Sequence, residues 1–362
     1  MEQRARVRAL GTATNVELIS RQRALLTHRI ERLVDRGASY ALIDFPQHAN
    51  VGDNAIWLGE RALLAEIIGD EPAYVCTYKS FDAEALEAAC PTGPIFLHGG
   101  GNFGDIWPVH QAFRERILDR MRGRRVIQLP QTIAFSDPRH VGTLRERIAK
   151  HGDFHLFVRD SVSLAFAQAN LDCAVESTPD AAVGMGTLAR RGRLRSDIVL
   201  LLRTDKEKAG QDMSCLLGLP ASFAFDWLDE FSLFRRKVAL LAKTSAYMAG
   251  RFDPNKRRLT AFDFTAKSRV ARGLRMLSSG KIVVTDRLHA HILSMLLDIP
   301  HIAMDNNYGK ISNYINAWNK DYKKVLLAAR PQDVPRLLDQ AKSMLRDVTT
   351  SNLSAKGDCG SA

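Results

Sequence analysis

The sequence predicts an α/β protein built from two doubly wound, parallel sheets in tandem. Three observations carry this reading. Short β-branched runs alternate with helical patterns, the signature of a parallel sheet flanked by helices. Most of those runs end in Gly, Asn, Asp or Arg, as at Phe45 to Asn50, His98 to Asn102 and Arg159-Asp160. A chain of 362 residues is also long for one hydrophobic core.

The elements follow in order. Leu18, Leu25, Leu26, Ile30, Leu33 and Val34 lie near helical spacing, so the first 35 or so residues read as a helix that Gly37 would end. Residues 40–45 read as a strand, 50–54 as a loop and 55–68 as a helix. Residues 93–97 are a strand that runs into a glycine loop at 98–102, with a helix over 109–121. Residues 125–129 are a strand ending in Pro130-Gln131-Thr132. Residues 154–158 are a strand, and 161–169 a helix. The Arg/Gly-rich stretch 188–196 reads as a linker, after which strands are expected at 198–202, 259–264, 282–285 and 301–304. A helix is expected at 231–249 inside an insertion, and a last one starts at Pro331. The domains are therefore placed at 1–190 and 191–348, with 349–362 as a disordered tail.

Composition narrows the class. Five scattered cysteines match neither a zinc site nor a disulfide framework. No signal peptide or spanning stretch is visible, so a cytoplasmic setting is expected. The net charge is +11, and residues 190–275, with 19 Lys/Arg against 9 Asp/Glu, hold nearly all of it. Such a field attracts nucleic acid, anionic membrane or an anionic substrate. No nucleic-acid motif accompanies it, so nucleic acid is not expected as a partner. The run Phe234-Arg235-Arg236-Lys237-Val238-Ala239-Leu240-Leu241-Ala242-Lys243 reads as a solvated helix face or as a basic amphipathic helix suited to anionic lipid.

The densest chemistry lies at Thr285-Asp286-Arg287-Leu288-His289-Ala290-His291, where a strand hands over to a helix. Ligands of open α/β sheets bind at such strand ends. Arg287 suits a carboxylate or phosphate, and His289 can carry a proton. His291, inside the new helix, reads as a core histidine. Elsewhere, Gly100, Gly101 and Asn102 form a candidate anion-cradling loop or a tight turn. Asp53 and Asn54 are helix caps with a possible second task on sugar hydroxyls. Arg159 is a solvated arginine or a ligand contact at a strand end, and Lys310 an exposed lysine or a phosphate holder. Gln131 lies on the same ligand edge.

Taken together, Gly52-Asp53-Asn54, His98-Gly99-Gly100-Gly101-Asn102, Pro130-Gln131, Val158-Arg159-Asp160, Pro179-Asp180, Thr285 to Ala290 and Tyr308-Gly309-Lys310 resemble the polysaccharide pyruvyl transferase family, in the family's order and over roughly residues 40 to 320. The Arg287-Leu288-His289 element is the most specific part. The resemblance implies two Rossmann-like domains in a GT-B-like arrangement with a cleft between them. It implies phosphoenolpyruvate as donor, a saccharide acceptor that is free or lipid-linked, and a pyruvate ketal as product, without metal or redox cofactor. It aligns Arg159, Arg287 and His289 with donor-binding and catalytic positions, with Asp53, Asn54, Gly100, Gly101, Asn102, Gln131 and Lys310 as substrate contacts. Family members often work on lipid-linked repeat units at the inner membrane face, which fits peripheral contact with an anionic membrane. Two other readings stand beside it: a GT-B glycosyltransferase using a nucleotide sugar, and a non-catalytic binder of acidic polysaccharide or lipid.

Overall fold

The computed structural model describes residues 13–204, 213–219, 222–228, 230–250, 253–305 and 309–357. Its first element, helix α1 (Asn15–Glu31), is followed by a run of strands and helices: β1 (Ala41–Ile43), α2 (Val51–Ile68), β2 (Tyr74–Cys76), α3 (Ala83–Ala89), β3 (Ile95–Leu97), β4 (Gly100–Gly104), α4 (Pro108–Arg120), β5 (Val126–Ala134), α5 (Pro138–His151), β6 (Phe154–Val158), α6 (Ser161–Asn170) and β7 (Ala174–Ser177). Next come β8 (Ser196–Leu201), the short α7 (Ser214–Leu217), β9 (Ser222–Phe225), α8 (Ser232–Ala249) and α9 (Pro254–Ser278). The chain closes with β10 (Gly280–Thr285), α10 (Leu288–Leu296), β11 (His301–Met304), α11 (Lys310–Tyr314), β12 (Val325–Ala328) and α12 (Val334–Gly357).

Two sheets result, and all their pairings are parallel. The first runs β2-β1-β3-β5-β6-β7, with β4 also paired to β5; the second runs β12-β11-β10-β8-β9. The chain is thus an α/β protein with parallel sheets. Parallel strands are normally covered on both faces, which explains their unbroken apolar runs. In the first sheet, Ala41, Ile43, Ile95, Leu97 and Val126 pack with Phe113, Ile117, Leu144 and Ile148 from α4 and α5. Leu42, Phe96 and Ile127, pointing the other way, are equally buried. In the second sheet, Ile198, Leu200, Ile282, Val284 and Ile302 pack with Val334, Leu338 and Ala341 of the last helical segment.

The chain divides into two compact units. One holds Arg21–Gly186 and Asp226–Arg275; the other holds the segment up to Ser20, Thr187–Phe225 and everything from Met276. The sequence division near residue 190 falls close to Gly186, but residues 226–275 belong with the first unit rather than the second. The reason is packing. Phe262 stacks on Phe45 with ring centroids 4.1 Å apart, and Asp263 accepts a 2.8 Å bond from Trp57 Nε1. Asn255 Oδ1 accepts from the backbone N–H of Val75, in β2, at 3.0 Å. The segment before Ser20 joins the second unit because Ala13 bridges to Tyr322 and Asn15 Nδ2 reaches Met295 O.

Five further expectations change. Residues 259–264 are helical, within α9, because Leu259, Ala266, Val270 and Leu274 recur at helical spacing and are all buried. Gly100–Gly104 is strand β4, not an open loop. Pro130-Gln131-Thr132 lies inside β5. Residues 51–54 are the first turn of α2, capped by Asn50, whose Oδ1 accepts from Gly52 N. The tail expected from residue 349 is helical as far as Gly357, and residues 1–12, 205–212, 306–308 and 358–362 lie outside the described residues. Among the described residues, no helix is long and apolar enough to cross a membrane.

Candidate functional site

In the second unit, the edge formed by the strand C-termini is assembled by the residues around Arg287. Thr285 Oγ1 donates to Leu201 O at 2.6 Å and accepts from Arg287 N at 3.0 Å, locking the end of β10 to that of β8. Asp286 Oδ1 accepts from Arg203 N at 2.8 Å. Burial raises the Asp286 carboxyl above its usual range, although the Arg203 amide and the Arg287 and Arg203 charges oppose this. Arg287 is the N-cap of α10, and His289 lies in the first turn; both are buried. The β-branched run of β10 therefore delivers Arg287 and His289 to the positive end of a helix dipole. Lys310 opens α11, which follows neighbouring β11; Gly309, at φ +63°, is its cap, and Asp305 Oδ1 accepts from Ile311 N and Ser312 N at 3.0 Å each. Cationic residues Arg203, Arg287 and Lys310 thus follow three consecutive strands of one sheet. Arg203 was readable in the sequence as the residue after a strand, but its tie to Asp286 required the β8–β10 pairing.

His291 sits in the core, as expected. Its Nδ1 is 2.7 Å from His301 Nε2 and its Nε2 is 2.7 Å from Asn319 Nδ2, while His301 Nδ1 is 2.8 Å from Ile299 O. The carbonyl fixes a proton on His301 Nδ1, which leaves His301 Nε2 to accept from His291 Nδ1, and His291 Nε2 to accept from Asn319. Both rings are satisfied only when neutral. Burial pushes His301 down to about 4, and burial with the neighbouring ring pushes His291 well below the ordinary histidine range. Between the unfolded value near 6.5 and the folded one, only the unfolded chain binds these protons, so stability falls as pH falls through that window. His301 alone should cost about 2 kcal/mol of stability between pH 7 and pH 5. Urea unfolding at both pH values checks this: His301→Leu should show a shallower pH slope than wild type, and an identical slope would refute the assignment.

In the first unit the predicted residues gather at the corresponding edge. Gly100, at φ +122°, brings its backbone so close to α2 that a Cβ there would lie 3.6 Å from Asp53 Oδ1. Asn54 Nδ2 donates to His48 O and Asn50 O. Gln131 Nε2 donates to Asn102 Oδ1 at 2.9 Å and to His98 O at 3.1 Å, and its Oε1 accepts from Asn102 N. Arg114, buried over the Phe103 ring, donates to the same Asn102 Oδ1. The glycine-run amides are partly committed as well: Gly99 N donates to Glu60 Oε1 at 2.7 Å, so the loop is less an anion cradle than a close-packed strand start. Gly101 is half-buried beside them. Arg159 is not solvated. It is buried, its Nη1 donates to Asp180 Oδ2 at 2.5 Å, and its Nε donates to Thr132 Oγ1 at 2.9 Å.

The sequence did not single out two carboxylate–imidazole pairs on this edge. His98 Nδ1 lies 2.7 Å from Glu60 Oε2, and His110 Nδ1 lies 2.8 Å from Asp44 Oδ2, where Asp44 leaves β1 at φ +72°. Burial opposes the His98 charge, but Glu60, then Asp53 and Asp44, outweigh it, and the ring is held more basic than usual. The signal was present: Glu60 lies between Ile56 and Leu64 on the buried face of α2, where an acid requires a partner. Among the described residues, no group of three or more His, Cys, Asp or Glu side chains could hold a metal ion.

The two parallel sheets make the chain an α/β protein with cationic side chains gathered at the strand ends of one sheet. The family model for polysaccharide pyruvyl transferase matches residues 50–308, and the chain belongs to that family. Pyruvyl transferase 1 of Schizosaccharomyces pombe is 32% identical over 301 residues, 77% of this chain and 69% of that protein. The Bacillus subtilis protein EpsO, which carries a provisional pyruvyl transferase name, is 27% identical over 81% of this chain and 90% of its own length. The crystal structure of a functionally uncharacterised protein from Klebsiella pneumoniae superposes with a TM-score of 0.53 at 18% identity, covering 88% of this chain and all of that one; it supports the fold alone.

Proposed function

We propose that this chain transfers pyruvate from phosphoenolpyruvate to a saccharide residue of an exopolysaccharide or lipid-linked repeat unit, forming a ketal and releasing phosphate. Family membership makes it a pyruvyl transferase; donor and ketal chemistry are the proposed part. The observation that carries the proposal is Arg287 and His289 at the N-terminus of α10, on a strand end that the Thr285 and Asp286 bonds tie to the end of β8. Phosphoenolpyruvate is a compact, multiply charged anion, and Arg287, with Lys310, supplies fixed positive charge for its carboxylate and phosphate. Arg159 is the proposed contribution of the first unit. Its charge is already balanced by Asp180, so the second unit carries most of the donor binding. Asp53, Asn54, Gly100, Gly101, Asn102 and Gln131 are the proposed substrate-side residues.

In the proposed reaction His289 delivers a proton to C3 of the enol, which gives C2 oxocarbenium character. One sugar hydroxyl attacks C2 and loses its proton. The C2–O bond to phosphate breaks, with cationic groups stabilising the leaving charge. The second hydroxyl then closes the ring and loses its proton. Of the two hydroxyl protons, one replaces that spent on C3 and one leaves with phosphate. The proposed sequence uses no metal or redox cofactor. The setting proposed is the cytoplasmic side of the membrane, with peripheral contact.

Phosphate release from phosphoenolpyruvate in the presence of lipid-linked or free oligosaccharides tests the reaction. Thermal stabilisation by phosphoenolpyruvate, reduced at least about tenfold in apparent affinity by Arg287→Gln, tests the site. The alternative, a GT-B glycosyltransferase, predicts stabilisation by a nucleotide sugar instead, and that result would displace the proposal.

A further inference from the structure

From the outward face of α8 we infer a docking surface for an anionic lipid bilayer. The proposal takes only its setting from the preceding section and does not depend on the chemistry. Helix α8 buries one face through Val238, Ala242 and Ala246, spaced four residues apart. The opposite face is apolar and uncovered. Leu233, Leu240 and Tyr247 recur every seven residues, and Leu241 and Met248 lie beside the last two. Leu233 is 78% exposed, Met248 77%, Leu240 65%, and Phe231, just before the helix, 81%. A row of large apolar side chains this open is unusual on a water-facing helix, whose outer side is ordinarily polar.

Charge identifies the occupant. The helix contains Arg235, Arg236, Lys237 and Lys243 and no acidic residue. Lys237 sits within the apolar row, and Arg236 and Lys243 flank it; all three are exposed. A second copy of this chain meeting the face by two-fold symmetry would oppose like charges in a low-dielectric contact. A bilayer surface accommodates both features, because the apolar row enters the headgroup–acyl boundary while long basic side chains extend to lipid phosphates. Aromatic Tyr247 and Phe231 have the amphipathic or bulky shapes that settle at this boundary.

Co-sedimentation of the full chain with vesicles tests this. Wild type is expected to bind vesicles containing phosphatidylglycerol and to bind pure phosphatidylcholine vesicles at least about tenfold more weakly, with binding to the anionic vesicles reduced by about 0.5 M salt. Leu240→Asp with Met248→Asp should weaken binding to anionic vesicles more than about tenfold, as should joint replacement of Arg236, Lys237 and Lys243 by Gln. These side chains are exposed, so unchanged thermal unfolding is expected to confirm folding, and unchanged phosphate release with a soluble acceptor would separate docking from catalysis. Equal binding to neutral and anionic vesicles would overturn the inference. So would wild-type binding by the aspartate variant, or a dimer in sedimentation analysis that the same variant dissociates.

Discussion

His289→Ala is expected to lower turnover by about 10²- to 10⁴-fold while phosphoenolpyruvate still stabilises the protein against heat. The split follows from position. His289 occupies the first turn of α10, one residue beyond the Arg287-Leu288 pair, and the strand-end bonds of Thr285 and Asp286 do not involve it. Anion binding therefore survives its loss, and proton delivery does not. His291, only two residues on, predicts the opposite outcome: its replacement should break the chain Asn319–His291–His301–Ile299 and lower stability before it touches chemistry. Phosphate release and thermal shift, measured on both variants, separate the roles. A fully active His289→Ala enzyme would end the proposed mechanism.

Gly59→Ala is expected to destabilise the first unit by about 3 kcal/mol or more, lowering its thermal midpoint by about 10 °C. A Cβ at Gly59 would lie 1.9 Å from Ala181 O, and one at Gly184 would lie 2.3 Å from Gly59 O, so α2 and the turn at Ala181–Met185 meet backbone to backbone. No rotamer change relieves such a clash; one backbone must move, and α2 carries Asp53, Asn54 and Glu60 with it. Gly142→Ala in α5 is the control. Nothing lies within 4 Å of its would-be Cβ, and alanine should be neutral or stabilising by up to about 1 kcal/mol. Calorimetry on the two variants decides, and similar midpoints would contradict this account of the contact.

Much of the site was legible because strand ends carry both a hydrophobic and a chemical signal. The run Ile282 to Thr285 marked β10, and the charged residues after it marked the candidate site. His291 was assigned to the core from its place within a helix, and the neutral histidine chain bears that out. The reading failed where local pattern and packing disagree. Residues 259–264 have strand-like composition, yet their buried positions belong to a 25-residue helix. Glycines read as an anion-cradling loop or a tight turn lead into strand β4, and the amide of Gly99 just before it is taken by Glu60. Arg159 is not the solvated arginine that was one of its two readings; it is buried and paired with Asp180.

The sequence alone determined the α/β class, most strands of both sheets, and the Arg287–His289 turn, because periodicity, turn residues and strand-end chemistry are encoded within a few neighbouring positions. Only the tertiary structure decided that residues 226–275 pack with the first sheet, that Glu60 reaches His98 across 38 positions, and that α8 turns leucines outward. Those facts depend on which surfaces remain to be buried once the sheets have formed, a property of the whole chain's packing that no local window contains.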